Sequence, residues 1–334
     1  MKALLAAGAL AGAVAIGLAV ETVQSLDISF DAGTRLLVVA PHPDDEALGA
    51  AGLIQRAVAA GGSVRVVMMT SGDAFPEGVE AAMHIQRPRP RDFRSYGSLR
   101  ERETSSAMQL LGLNRSHVLF LGFPDGGLCL IAANYLSSKS RAFDSPYTKR
   151  DEPPVSERLI PGVRYRGDDI RRELERIIVA YRPTVVAMPH PEDEHPEHCS
   201  TNIFVREALD AVEGQYRHIA PRVLQYLIHY KQWPLDVTGG TDSTLQPPAD
   251  FPPGEGEWRA LTLTAEESAM KRRALGDYPS QQLVIGGFML AFERTNELFL
   301  EGRPASAPEC WCDDTNVATE LPPAKYRRRP APRR

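Results

Sequence analysis

The chain is poor in cysteine and aromatics and carries no strong excess of either charge. Four cysteines in 334 residues cannot make the dense disulfide framework of a small secreted scaffold. Cys129 and Cys199 stand apart, while Cys310 and Cys312 form a lone C-x-C. That spacing argues neither a bridge nor a metal, so all four read as structural or incidental. The net charge is only −5, and six cations (Lys325, Arg327, Arg328, Arg329, Arg333 and Arg334) lie in the last ten residues. The rest of the chain is more acidic still and a poor phosphate binder, so no nucleic-acid partner is expected. No internal repeat is present, and no glycine-rich phosphate fingerprint follows the first strand, which counts against a dinucleotide site. Charged residues make up 24% and hydrophobic ones 43%, an ordinary globular balance that excludes wholesale disorder.

One long apolar run exists. Met1 to Val20 is an Ala/Gly/Leu stretch with the single charge Lys2, followed by polar Glu21 and Thr22. It reads as a secretory signal, with a small-residue cut after Ala15 or Ala19, or as an N-terminal membrane anchor. Either places the protein outside the cytoplasm: periplasmic, envelope-associated or secreted. Membrane association is expected only through this segment. From Arg303 onward proline and arginine dominate, and 303–334 is expected to be a disordered tail. Residues 34–300 then form one domain.

Within that domain, short β-branched runs alternate with helical patterns. Strands are expected at Arg35–Ala40, Ser63–Thr70, His117–Leu121, Thr184–Met188 and Val223–Tyr230. Helices are expected at Glu46–Ala60, Leu99–Leu111, Asp169–Tyr181 and Cys199–Val212, with late ones at Thr264–Gly276 and Met289–Leu300. Phe75–Tyr96, Ala132–Gly167 and Pro234–Gly256 read as long loops. The alternation predicts an α/β, Rossmann-like three-layer sandwich around a mostly parallel sheet. Ligands bind such sheets beyond the carboxyl ends of the strands.

Two acidic, histidine-bearing motifs lie at such ends. The first is Pro41-His42-Pro43-Asp44-Asp45-Glu46. Three consecutive acids at a strand end are costly unless something positive sits there, and a divalent metal answers that need. One imidazole and a carboxylate three residues on can share an ion, leaving the other carboxylate to take a proton. The bland reading is an acidic helix start, with Asp44 and Asp45 capping the helix. The second motif, His190-Pro191-Glu192-Asp193-Glu194-His195-Pro196-Glu197-His198, packs three histidines and four acids into nine positions. A solvated acidic turn explains the acids but not the histidines. Two histidines and one carboxylate with open positions suit catalytic zinc, and also non-haem iron(II). His190 reads as a turn histidine or a substitute ligand. His229 ends a predicted strand, so it either faces the crevice and meets substrate or is a satisfied core-edge histidine. Arg87–Arg94 reads as a solvated loop or an anion grip.

The pairing of a strand–HPDDE element with a later D-x-H-P-(D/E)-H element resembles the PIG-L/LmbE-like deacetylases. Thr70-Ser71-Gly72-Asp73, Arg100 with Glu103, Leu121-Gly122-Phe123-Pro124-Asp125-Gly126 and Ser145-Pro146-Tyr147 add to the likeness, which runs from about Leu36 to Tyr230. Lys271–Phe299 looks like a terminal extension of some bacterial members. The resemblance implies that His42, Asp45 and His198 bind zinc and that Asp44 is the general base. His195 would polarise the acetyl carbonyl or hold the oxyanion, if need be as an imidazolium. Arg100 and Asp125 would contact the sugar. The implied substrate is a small molecule or glycan carrying an N-acetylated amino sugar, hydrolysed to acetate and a free amine. A larger amide, or sugar binding without catalysis, are the alternatives. The family usually carries Asp where this chain has Glu197, a departure that bears on the support of the motif rather than on His198.

Overall fold

The computed structural model describes residues 23–235, 240–252 and 256–302, together with Cys310. The apolar run at 1–20 and the tail, apart from Cys310, lie outside the described residues. Among the described residues no helix is long and apolar enough to cross a membrane.

The elements in chain order are β1 (Gln24–Ser25), β2 (Arg35–Ala40), α1 (Asp45–Ala59), β3 (Ser63–Thr70), α2 (Pro76–Met83), α3 (Pro90–Leu110), β4 (Val118–Phe123), α4 (Leu128–Asn134), α5 (Gly167–Tyr181), β5 (Val185–Pro189), α6 (Pro196–Gln215), β6 (Arg222–Tyr226), β7 (Trp258–Thr262), α7 (Ala265–Gly276), α8 (Pro279–Leu290) and β8 (Asn296–Glu301). They build one sheet in the order β1-β7-β8-β6-β5-β2-β3-β4. All pairings are parallel except those of β8 with β6 and β7.

Strand β2 shows why the sheet has a layer on each side. Leu36, Val38 and Ala40 join one apolar cluster with residues of α1, α3 and α7, whereas Leu37 and Val39 join a second with residues of α4, α5 and α6. Alternate side chains of a strand point to opposite faces, so a strand apolar at every position needs cover on both. The parallel core runs β6-β5-β2-β3-β4, and strand order reverses between β2 and β5. That switch point leaves a crevice beyond the carboxyl ends of the two strands. Both acidic motifs leave the sheet there. The expected α/β sandwich and its five parallel strands are therefore the observed architecture.

Several local expectations are corrected. Phe75–Tyr96 is not a loop, because α2 and the first turns of α3 occupy it. Its prolines are starts rather than breaks: Pro76 and Pro90 each open a helix, where no N–H is needed. Asp92 then accepts the Arg89 N–H at the α3 start. The helix expected at Met289–Leu300 is displaced. It ends as α8 at Leu290, and Asn296–Glu301 forms the antiparallel strand β8. NELFLE carries the consecutive apolar residues Leu298, Phe299 and Leu300 and is buried up to its last residue, the mark of a short strand covered on both faces rather than of a helix end. Strand β7 lies just beyond the Pro234–Gly256 stretch and was not expected. Of the two readings left open for the cysteines, the structural one is the observed one: Cys199 is bridged to Cys310, 111 positions away, and Cys129 is also disulfide-bonded.

Buried polar contacts bind the α7–β8 region to the rest. Lys271 Nζ donates to Leu48 O and to Glu297 Oε1, both at 2.8 Å, and Glu297 Oε1 also accepts the Gly52 N–H. Ser280 gives its N–H and its hydroxyl to Glu103 on α3. Both Lys271 and Glu297 are almost inaccessible. Removing one member of such a pair strands a charge in the interior. Lys271→Met is therefore expected to lower unfolding free energy by about 3–5 kcal/mol. Urea denaturation would measure this, and a loss under about 1 kcal/mol would show that the pair does not anchor the C-terminal helices.

Candidate metal centre and active site

The first motif begins where β2 ends. Thr70, at the end of neighbouring β3, gives its N–H and its hydroxyl to Pro41 O. Asp44 adopts φ 118°, ψ −30°, a conformation costly for a residue with a Cβ. Glu46 and Arg100 hold it. Glu46 Oε2 accepts the Asp44 N–H at 3.0 Å. Arg100 Nη2 donates to Pro43 O at 2.7 Å and lies 3.6 Å from Asp44 Oδ2. Arg100 Nη1 donates to Gly72 O at 2.7 Å, and a Cβ on Gly72 would overlap that guanidinium. Asp44 makes no side-chain cap to α1, so the capping reading of this residue fails, and its carboxylate is left to face a cavity.

Asp45 lies at the junction of the two motifs. Its Oδ2 accepts the His42 N–H at 2.9 Å and stands 3.2 Å from His42 Nδ1 and 3.2 Å from His198 Nε2. The second motif delivers His198 from the first turn of α6. Buried Asp193 aligns that ring: Oδ2 is 3.1 Å from His198 Nδ1 and also accepts the N–H groups of Ile228 and His229. His198 Nε2 is fully buried and makes no hydrogen bond. A carboxylate on one imidazole nitrogen and an open lone pair on the other is how a metal-binding histidine is presented. Donors bound to zinc at about 2.0–2.1 Å in a tetrahedron stand about 3.3 Å apart, close to the two 3.2 Å spacings here. Donor atoms within 4.8 Å of one another are offered by His42, His195 and His198, by Asp45, His198 and His229, and by His42, Asp125 and Glu197. The residues present thus fit a divalent cation, and His229 joins the candidate donors.

The electrostatics agree with a site for positive charge. Burial would lower the His198 pKa, but the carboxylates of Asp193 and Asp45 push it up to about 9. Burial alone would raise Asp45, yet the positive charge of His198 beside it holds it well below the usual carboxylate range. Asp44 is pushed by burial up to about 7, against the opposing pull of Arg100. A carboxyl group near neutrality can both accept and return a proton.

One cavity, of about 220 Å³, opens over these groups. His42, Asp44, Asp45, Arg100, Asp125, His195 and His229 contribute to its polar lining, and Leu48, Phe75, Ile285 and Phe288 to its apolar side.

A model of the family described as GlcNAc-PI de-N-acetylase matches residues 37–209, just over half of the chain. The chain belongs to the PIG-L family. Three solved structures are among those the chain is similar to. N,N'-diacetylchitobiose deacetylase from Pyrococcus horikoshii is 17% identical, with 80% of this chain and 84% of that chain covered and a TM-score of 0.49. The A40926 pseudoaglycone deacetylase Dbv21 is 18% identical over 80% of this chain and 97% of that one, with a TM-score of 0.49. GalB, the 4-carboxy-2-hydroxymuconate hydratase from Pseudomonas putida KT2440, is 13% identical over 82% and 98%, with a TM-score of 0.51. A hydratase among them shows that this architecture alone does not specify a reaction.

In this PIG-L chain the expected site residues gather at one crevice, with differences of detail. Arg100 is committed to Pro43, Gly72 and Asp44 as well as to the cavity wall. Asp125 Oδ2 accepts the Ala74 N–H, and its Oδ1 lies 3.5 Å from His42 Nε2. His229 lies just past β6 rather than within a strand, and its ring stacks on Phe288, with centroids 5.0 Å apart. His190 is the turn histidine, its Nδ1 accepting the Glu192 N–H. Sequence reasoning missed the tasks of Asp193, Glu46 and Glu197, all inside the motifs, and the α8 wall, which no motif signalled.

His195 is the N-cap of α6, where its Nδ1 accepts the Glu197 N–H. That leaves Nε2 to carry the proton. Burial and the neighbouring imidazoles of His42, His198 and His229 hold its pKa well below 6.5, which favours the neutral donor over the imidazolium form. Two-bond 1H–15N spectra at pH 6 are expected to show His195 as the neutral Nε2–H tautomer. An imidazolium signature at that pH would contradict this assignment.

Proposed function

We propose that the protein is a zinc-dependent hydrolase that cleaves the N-acetyl amide of an N-acetylglucosamine-type sugar or conjugate, releasing acetate and a free amine. The family match supports the reaction class. The observation that carries the reading is the placement of Asp44, a buried carboxylate pushed up to about 7, beside the His42–Asp45–His198 donors and open to the cavity. His42, Asp45 and His198 would hold the ion; iron(II) would suit the same donors. When bound, such an ion supplies Lewis acidity and makes water a better nucleophile at neutral pH.

The chain's own residues account for the rest. Asp44 takes a proton from the attacking water and returns it to the amine nitrogen as the C–N bond breaks. Arg100 keeps Asp44 oriented and favours its ionised form before attack. His195 donates its Nε2–H to the carbonyl oxygen as charge develops there, and a neutral donor needs no proton uptake to do so. Arg100, Asp125 and His229 line the space beside this centre and would position the sugar. Two observations support export, in keeping with the apolar run at residues 1–20: Cys199 is bridged to Cys310, and Cys129 is disulfide-bonded. Such bonds persist in oxidising compartments.

The test is acetate release from a panel of N-acetylglucosamine conjugates, run with metal analysis. Chelation is expected to abolish release and zinc to restore it. Asp44→Asn is expected to lower kcat by about 10²–10⁴-fold with metal content unchanged. Release of a larger acid and no acetate would replace this reading with an amidase, and full activity in Asp44→Asn would remove Asp44 as the base.

A further inference from the structure

We propose that Glu197 is a positioning residue that fixes the tautomer and orientation of His42, so that the metal affinity of this chain depends on it; the proposal rests on the metal-centre reading above. Glu197 sits in the first turn of α6, one residue before His198, and only 3% of it is exposed. Both of its oxygens are committed. Oε2 lies 2.7 Å from His42 Nε2, the nitrogen turned away from Asp45. Oε1 accepts the N–H groups of Gly127 at 3.1 Å and Leu128 at 3.0 Å, where α4 begins. The carboxylate thus joins three segments: the start of α6, the turn after β2 and the start of α4.

The consequence for His42 is chemical. An imidazole can carry its proton on either nitrogen, and its ring can turn over within the same volume. A carboxylate at Nε2 holds the proton there and leaves the Nδ1 lone pair facing Asp45 Oδ2 at 3.2 Å. It also makes that lone pair more basic, as carboxylate partners of metal-binding histidines do. Asp193 does the same for His198 from the opposite side, through Nδ1. The two imidazoles are therefore presented through different nitrogens, each fixed by a carboxylate of the second motif. The extra methylene of Glu is what lets one side chain span from His42 to the α4 amides. Aspartate at this position is shorter by about 1.5 Å and would have to give up one end.

The experiment measures the zinc Kd of the full chain, its Glu197→Gln and Glu197→Asp variants and His42→Ala, by competition with a chromogenic chelator. Circular dichroism melts of the metal-free proteins run alongside. Glutamine keeps the shape and can still accept from the α4 amides, but it presents an amide N–H to the His42 N–H. Both Glu197 variants are expected to bind zinc about 10–100-fold more weakly than the wild type, with metal-free melting temperatures close to it for Glu197→Gln. A wild-type zinc Kd in both variants would overturn the proposal, even if their melting temperatures fell, because that pattern marks a purely structural residue. A wild-type protein that binds no zinc would remove the metal-centre reading and this proposal with it.

Discussion

Carboxylates buried without water must be met by positive charge or by N–H donors, and this constraint shapes the structure around the β2–β5 switch point. Asp44, Asp45, Glu46, Asp125, Asp193 and Glu197 are all buried there. Moving even one such group out of water costs several kcal/mol. The compensation is specific in each case. Arg100 stands beside Asp44, Tyr278 donates to Glu46, the Ala74 N–H binds Asp125, two backbone amides bind Asp193 and two more bind Glu197. What remains is the space shared by Asp45, His42 and His198, where donor atoms converge and His198 Nε2 has no hydrogen bond.

This arrangement links the fold to its chemistry. Parallel strands end at the same edge, so residues as far apart in sequence as His42 and Glu197, 155 positions, can supply one site without any long-range loop folding across the sheet. The strained backbone at Asp44 is held by residues from α1 and α3, which ties the orientation of this carboxylate to the packing of two helices. The C-terminal region completes the enclosure. Glu46 is held by Tyr278, just before α8, and the same helix brings Ile285 and Phe288 to the cavity wall. A region distant in sequence from both motifs therefore shapes the space in which substrate would lie.

Much of this was legible in the residues alone. The β-branched runs identified the parallel strands, because a strand buried on both faces has a composition few other elements share. The two motifs identified the site, because histidines concentrated among acids have little reason to sit in a solvated turn. Other features were not legible. Pro76 and Pro90 look like breakers until the helix they start is known, and NELFLE becomes a strand only through its partners β6 and β7. The C-x-C spacing carried no sign that Cys310 meets Cys199. Glu197 and Asp193 were visible as acids, but the nitrogen each one holds depends on ring orientations that only three-dimensional packing sets.

The central claim is that His42, Asp45 and His198 share one cation beside Asp44. The most direct measurement is a crystal structure of the zinc-loaded protein with anomalous diffraction data recorded on both sides of the zinc absorption edge. The account predicts a single strong anomalous peak about 2.0–2.2 Å from one nitrogen of each imidazole and from an Asp45 oxygen. Zinc density elsewhere in the chain, with His198 Nε2 left out of its coordination, would contradict it.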